Sequence, residues 1–306
     1  MRAPGDDVFK PTYTLTPRFL RQMIQIERGC GFLEAIQLDP SRAAALQKMF
    51  RVDDALSSVQ IEGSSLTRIR AAQLADDALE VANESEQEFL NYYSAFNAID
   101  DLRGQRDYAF SARDLLNLHG ILVQGVRGEH YAGRFRDGSV EVGDQQGAKR
   151  VVHHLPPEAE EVRGLVDELM DWVEGAKDKG KKKGHADVWE HPVAVAAIAQ
   201  HRFVWIHPFF DGNGRTARMF TTALLFQRRY DFKYLFDLSS YYNRDRDKYY
   251  AALRTADATG DYTAWIEYFA GGLALQIRAA VERGRGVAMG VDMSAVGAAE
   301  AGADAE

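Results

Sequence analysis

His207-Pro-Phe-Phe-Asp211-Gly-Asn-Gly-Arg215-Thr-Ala-Arg218 lies between two apolar patterns of helical period, one over 191–205 and one over 215–228. Pro208 disfavours helix at His207, so the first helix is expected to end there and the chain to turn. Gly212 and Gly214 permit a tight loop whose backbone N–H groups converge at the start of the second helix. Unpaired amides and the positive helix end both favour an anion at that point, phosphate above all.

The side chains of this stretch suit phosphate chemistry. Asp211 is a carboxylate of the kind that holds Mg²⁺ together with nucleotide phosphates. Arg215 and Arg218 are three residues apart at a helix start, so both can face one polyphosphate. Cations there oppose the helix dipole, and a bound polyanion would offset that. His207, just before the loop, could take a proton from an attacking hydroxyl. Taken singly, each residue has a bland reading: a packed histidine, a plain turn, solvated arginines. Base, metal ligand, amide cradle and two cations within one short segment are read together as a site.

Outward from the loop, nearly every long stretch reads as helix: roughly 17–36, 40–62, 68–82, 86–103, 111–123, 157–174, 245–256 and 262–282. Over 40–62 the apolar positions are Leu46, Met49, Phe50, Ala55, Leu56, Val59 and Ile61, and Gly63 supplies a stop. Ser139 to Val142 and Ala148 to His153, around a Gly-rich turn at 143–147, read as a β-hairpin. The expected class is therefore mainly α, a helical bundle with one short hairpin.

The 306 residues, 46% hydrophobic and 27% charged, fit a soluble chain of one large or two small domains. A net charge of −8 argues against a nucleic-acid surface as its main business. The polar Met1–Val8 segment has no signal core, and no run approaches the roughly 20 apolar residues of a membrane span. With Cys30 as the single cysteine, a reducing, cytoplasmic location and no membrane association are expected. Lys177 to Gly184 reads as a solvated basic loop, and the Ala-, Gly- and acid-rich stretch after Gly286 as a disordered tail. His119, His153, His154 and His191 lack metal-ligand spacing, and His201 reads as a structural histidine packed under the loop.

The 207–218 segment resembles the signature of Fic-domain (Fic/DOC) proteins, HPFxDGNGRxxR, at every specified position. Gly133-Arg-Phe-Arg136 resembles an element upstream of that family's flap, and 139–153 resembles the flap hairpin, so the expected fold is a Fic-type helical bundle. Tyr249-Tyr250-Ala-Ala-Leu253 is similar to its paired-tyrosine element beside adenine. The resemblance implies ATP and Mg²⁺ as substrate and cofactor, and transfer of AMP to a Ser, Thr or Tyr hydroxyl of a target protein, the chain itself included. By that resemblance His207 is the base and Asp211 the metal ligand. Gly212, Asn213 and Gly214 cradle phosphate, with the Asn213 side chain helping, Arg215 and Arg218 contact the β- and γ-phosphates, and Tyr249 and Tyr250 line the nucleotide pocket.

Ser58-Val-Gln-Ile-Glu62-Gly63 resembles the family's inhibitory motif, placed N-terminal to the core as in its class II-like members. Glu62 is then expected to pair with Arg218 and to withhold it from the γ-phosphate. The implied organisation is an N-terminal helical region over 1–95 with the inhibitory helix at 40–63, a catalytic core over 96–270, and a helix end and tail over 271–306. Removal of AMP from modified proteins at the same site, or use of another nucleotide donor, remain alternatives, and homo-oligomers that press on the 40–63 helix are a conceivable control. Asp257 departs from the family's adenine-pocket Asn.

Overall fold

A computed structural model describes residues 9–102, 105, 107–146, 149–178 and 191–289. The two helices flanking the loop are its most buried elements. Pro192–Ile206 carries Val193 through Ala199 without one exposed position, and Asn213–Gln227 is buried from Arg215 to its end. Helices buried on every side belong inside a bundle, and these two pack side by side.

In chain order the described helices are α1 Pro17–Ala35, α2 Pro40–Ile61, α3 Arg68–Ala75, α4 Glu84–Asp100, α5 Ala112–Leu122, α6 Ala159–Asp178, α7 Pro192–Ile206, α8 Asn213–Gln227, α9 Leu238–Arg244, α10 Arg246–Thr259 and α11 Thr263–Ala288. Their starts are read locally: Thr16, Asp39, Thr67, Asn83, Asp237 and Asp245 each accept a first-turn N–H on a side-chain oxygen. Helix α1 lies along α11, and α2 packs against α4 and α9. The apolar core is continuous from Phe19 to Val287. Gln200, fully buried on α7, ties it together: its amide donates to Tyr249 and accepts from Tyr242 and Thr221.

Several boundaries differ from the sequence reading. The helix expected over 68–82 ends at Ala75, because Asp77 takes a positive φ and the Glu86 carboxylate draws in Arg70 and the Ala82 N–H. The expected hairpin turn at 143–147 is mostly strand: β1 is Val142–Gln146 and β2 is Lys149–His154, antiparallel with Gly143 opposite Val152. A bulge between Val142 and Gly143 shifts the register there. Helix α9 was not expected; its short run is set by the Asp237 cap. Helix α11 runs past 282 to Ala288, so the start of the expected tail is helical, and 290–306 lie outside the described residues. Lys177 and Asp178 belong to α6, while the remainder of the expected basic loop lies outside them too.

Candidate active site

His207 ends α7 in the left-handed region, φ 48° and ψ 61°, rather than in the extended conformation a following proline favours. Buried Arg136 holds this end: its guanidinium donates to the His207 and Gly138 carbonyls at 2.9 and 3.0 Å, and to the Pro157 carbonyl, while its N–H donates to Pro208 at 2.9 Å. The loop then folds on Asn213, whose side chain accepts the Phe209 N–H at 2.9 Å and donates to the Phe209 carbonyl at 2.8 Å. The Asn213 amide is thus engaged with the loop's own backbone and shapes the cradle. Gly212 caps α8 with φ 75°, a conformation that suits glycine.

His119 lies beneath the loop. Its ring stacks on Phe209 with centroids 3.7 Å apart, it bonds the Asp211 carbonyl through Nε2, and Nδ1 accepts the Gly133 N–H, each at 3.1 Å. Accepting at Nδ1 requires the neutral tautomer with hydrogen on Nε2, and burial lowers its pKa to about 4. No spacing rule pointed to His119; its signal lies in tertiary contact alone. His201, expected under the loop, instead faces Asp257 at 3.1 Å and the Leu253 carbonyl at 3.0 Å.

The His207 ring places Nδ1 3.3 Å from the Val204 carbonyl. A carbonyl only accepts, so Nδ1 carries the hydrogen and the Nε2 lone pair remains free. Burial lowers the His207 pKa to about 4, with smaller effects from His154 and Arg136, so the imidazole is neutral at physiological pH. That is the form a general base requires.

Three acids and a serine meet the arginines. Arg218, 4% exposed, donates from Nε to Ser58 Oγ at 2.8 Å, and from Nη2 to the Ser58 carbonyl at 3.0 Å and Glu62 Oε1 at 2.8 Å. Burial opposes its charge, but Glu62, with smaller contributions from Tyr249 and Tyr92, outweighs that and leaves the guanidinium's pKa raised. Glu62 caps the C-terminal end of α2, and the Gly63 N–H bonds back to Gln60 at 3.0 Å. Arg215 pairs with Glu88 on α4 at 2.7 Å and with Asp211 at 3.4 Å. Burial raises the Glu88 pKa despite that cation. Nothing local in the sequence marks Glu88.

The Asp211 carboxylate is half exposed, and one of its oxygens takes the Gly212 N–H at 2.6 Å. One accessible carboxylate beside an amide cradle fits Mg²⁺, which is held by few protein ligands and completed by phosphate and water. Among the described residues no set of three acids, histidines or cysteines converges elsewhere to offer a metal cage.

Beside the loop is a cavity of about 340 Å³, lined among others by Glu62, His153, His154, Val204, Tyr250 and Asp257. Tyr250 is 38% exposed at its wall. Tyr249 is not: it is buried in the core, stacked on Tyr242 at 4.4 Å, with its hydroxyl accepting from Gln200. The expectation that Tyr249 lines the nucleotide pocket is corrected accordingly. Adjacent residues on a helix face about 100° apart, so one tyrosine of the pair enters the core and the other the cavity.

Comparison with known proteins agrees with this geometry. Residues 109–225 match the family model described as Fic/DOC family. The chain is 26% identical over 256 residues, 82% of its length, to the protein adenylyltransferase Fic of Drosophila willistoni, and 27% identical over 213 residues to that of Nematostella vectensis. It spans less than half the length of either, 45% and 44%. Among solved structures, a Fic family protein from Desulfovibrio desulfuricans G20 superposes with TM-score 0.73 at 28% identity, over 90% of this chain and 77% of that one. A Fic domain containing signaling protein from Bacteroides thetaiotaomicron shares the fold, with TM-score 0.69 at 20% identity over 88% and 98% of the two chains. The His207–Arg218 loop, held by Arg136 and His119 and closed by Glu62, thus lies within the stretch, residues 109–225, that matches the Fic/DOC family model.

Proposed function

We propose that the chain is a protein adenylyltransferase that moves AMP from ATP to a Ser, Thr or Tyr hydroxyl of a protein, and that Glu62 restrains it. The observation that carries this reading is the bond from Arg218 to Glu62 at 2.8 Å, directly over the amides of the loop. A carboxylate at that position occupies the cation meant for the terminal phosphate and repels the phosphate itself. The names of the relatives support the transferred group as AMP.

In this reading the base and ribose of ATP enter the cavity beside Tyr250. The Gly212–Gly214 amides and the N-terminal end of α8 receive the phosphates. Arg215 leaves Glu88 for the β-phosphate region, and Arg218, once released, meets the γ-phosphate. Asp211 would hold Mg²⁺, whose charge would offset that of the phosphates. The target hydroxyl gives its proton to His207 Nε2 as its oxygen attacks the α-phosphorus. The bond from that phosphorus to the oxygen bridging the β-phosphate breaks, and pyrophosphate leaves. The free edge of the flap strand aligns the target backbone.

A second reading has one observation in its favour. The Glu62 carboxylate is about one-third exposed and acts electrostatically on His207, so it could hold a water for removal of AMP.

The test is incubation of wild type, Glu62→Gly and Glu62→Gly/His207→Ala with α-³²P-labelled ATP and Mg²⁺. Strong labelling of protein by Glu62→Gly, weak by wild type and none by the double variant is expected. No labelling by any of them would overturn AMP transfer, and release of AMP from pre-modified protein by wild type would then favour the second reading. A cytoplasmic location and an N-terminal region acting as regulator over the catalytic core are part of the same proposal. No helix among the described residues is long and apolar enough to cross a membrane.

A further inference from the structure

The inhibitory helix is also fastened on its opposite flank. On α2, Asp54 lies one turn before Ser58 and Ser57 immediately precedes it, and both bond to α9. Asp54 accepts the Ser239 N–H at 2.9 Å and lies 3.4 Å from the Tyr92 hydroxyl. Ser57 shares a hydrogen bond with Ser240 at 2.8 Å, and Ser240 bonds in turn to the Asp237 carboxylate through its N–H and its hydroxyl. Asp237 is buried beside Asp54, and burial raises its pKa well above the usual carboxylate range, so the pair carries less negative charge than two ionised acids.

Asp237 and Ser240 form part of the wall of a second cavity, about 460 Å³, enclosed by α2, α9 and α11. That is within the size range of small-molecule sites. Arg244 on α9 and Arg278 and Arg283 on α11 open onto it. Arg244 and Arg278 make no hydrogen bond or ion pair among the described residues. Of the three acids in the wall, Asp53 is already engaged by Arg68 at 2.6 and 3.1 Å, and burial beside Asp54 raises the Asp237 pKa, which leaves Glu282 as the main opposing charge. Two uncommitted guanidiniums from two helices, converging on a cavity with a third, match the forked recognition of a phosphate group.

We propose that this cavity binds a small phosphate-bearing molecule through Arg244, Arg278 and Arg283, and that its occupant clamps α9 to α11 and so fastens the inhibitory helix. The binding stands on the cavity alone; the fastening rests on Glu62 being the restraint.

Inorganic phosphate is the probe, with thermal unfolding of the full chain as the first readout. At phosphate tenfold above its Kd, wild type should gain about 2 °C in Tm. Arg244→Gln/Arg278→Gln, two exposed positions, should fold with an unchanged Tm in phosphate-free buffer and gain clearly less than wild type. Phosphate also competes for the loop at Gly212–Gly214, but equally in both chains. An equal gain in both chains, or none in either, overturns the site. As the second readout, phosphate should slow label transfer several-fold more in wild type than in the double variant, and this difference should vanish when Glu62→Gly is added to each. An equal slowing overturns the fastening. If no chain transfers label, the activity reading fails and the fastening with it, while the unfolding comparison still decides the site.

Discussion

Glu62 and Arg218 are 156 residues apart in the chain and 2.8 Å apart in space, and Ser58, one helical turn before Glu62, takes the same guanidinium by two further bonds. The acid and the serine act on one side chain, so the restraint is graded rather than single. Ser58→Ala removes the Nε acceptor and keeps the Ser58 carbonyl and Glu62. Losing one such buried bond is worth about 1 kcal/mol, so label transfer should rise about fivefold. Initial rates of wild type, Ser58→Ala and Glu62→Gly should rank in that order. A Ser58→Ala rate equal to wild type would remove the serine from the restraint.

Gly214 is where the restraint touches the cradle. A Cβ at that position would lie 2.3 Å from Glu62 Oε1 and 3.0 Å from an Arg218 guanidinium nitrogen. The Glu62 carboxylate is the end of a flexible side chain, so it should move aside and weaken its pair with Arg218. In the wild-type background Gly214→Ala should therefore lower Tm. In a Glu62→Gly background the nearer obstruction is gone and Arg218, no longer paired with Glu62, can give way, so alanine's helix preference over glycine, up to about 1 kcal/mol, should make the same change neutral or stabilising. Thermal unfolding of the four chains of this cycle measures the coupling; additive effects would show that Glu62 does not rest on Gly214.

Much of this site was legible because its residues are close in sequence. The loop, its preceding helix end and the inhibitory pair follow from local pattern and from the family resemblance. What stayed hidden are the supports that arrive from elsewhere: His119 from α5, Glu88 from α4, and the engagement of Asn213 with Phe209. Tyr249 and Tyr250 make the same point, since composition cannot say which of two adjacent tyrosines enters the core. The hairpin was recognised as an element and misplaced in register, because a bulge at Val142/Gly143 has no composition of its own.

His119 gives the fold an acid sensitivity of definite sign. Its pKa is about 4 when folded, against 6.5 for the free side chain. Between those values the unfolded chain binds the extra proton, so stability is unaffected above about pH 6.5 and is lost as pH falls toward 4. At pH 5 this one group costs about 2 kcal/mol. His119→Gln offers an amide that can replace both bonds without titrating, so its Tm should fall less steeply from pH 6.5 to 5 than that of wild type. Parallel curves would mean that other groups set the acid limb. His207, lowered to about 4 in the same way, should keep Glu62→Gly active well below pH 6.5, as kcat/KM against pH would record.

Glu88 sets the final prediction, because its pairing with Arg215 at 2.7 Å opposes the role proposed for that arginine. Glu88 lies close enough to Asp211, Glu84 and Glu62 for their charges to act on it, so the phosphate site is ringed by acids before nucleotide arrives. Arg215 must leave Glu88 at least in part to reach a phosphate, and the carboxylate left behind repels the incoming polyanion. Glu88→Gln keeps the shape and one acceptor oxygen while removing the charge. The folded chain should lose stability, since an arginine that is 2% exposed gives up an ionic partner and retains Asp211 only at 3.4 Å. ATP binding should tighten in the same variant, by about fivefold at low salt, the size expected when one unit charge several ångströms away is removed at intermediate dielectric. The gain should shrink as salt screens the site. Calorimetric titration of ATP into Glu62→Gly, with and without Glu88→Gln, at two salt concentrations measures it. Weaker binding in the Glu88→Gln chain would make Glu88 a support that orients Arg215 toward the phosphates rather than a competitor for it.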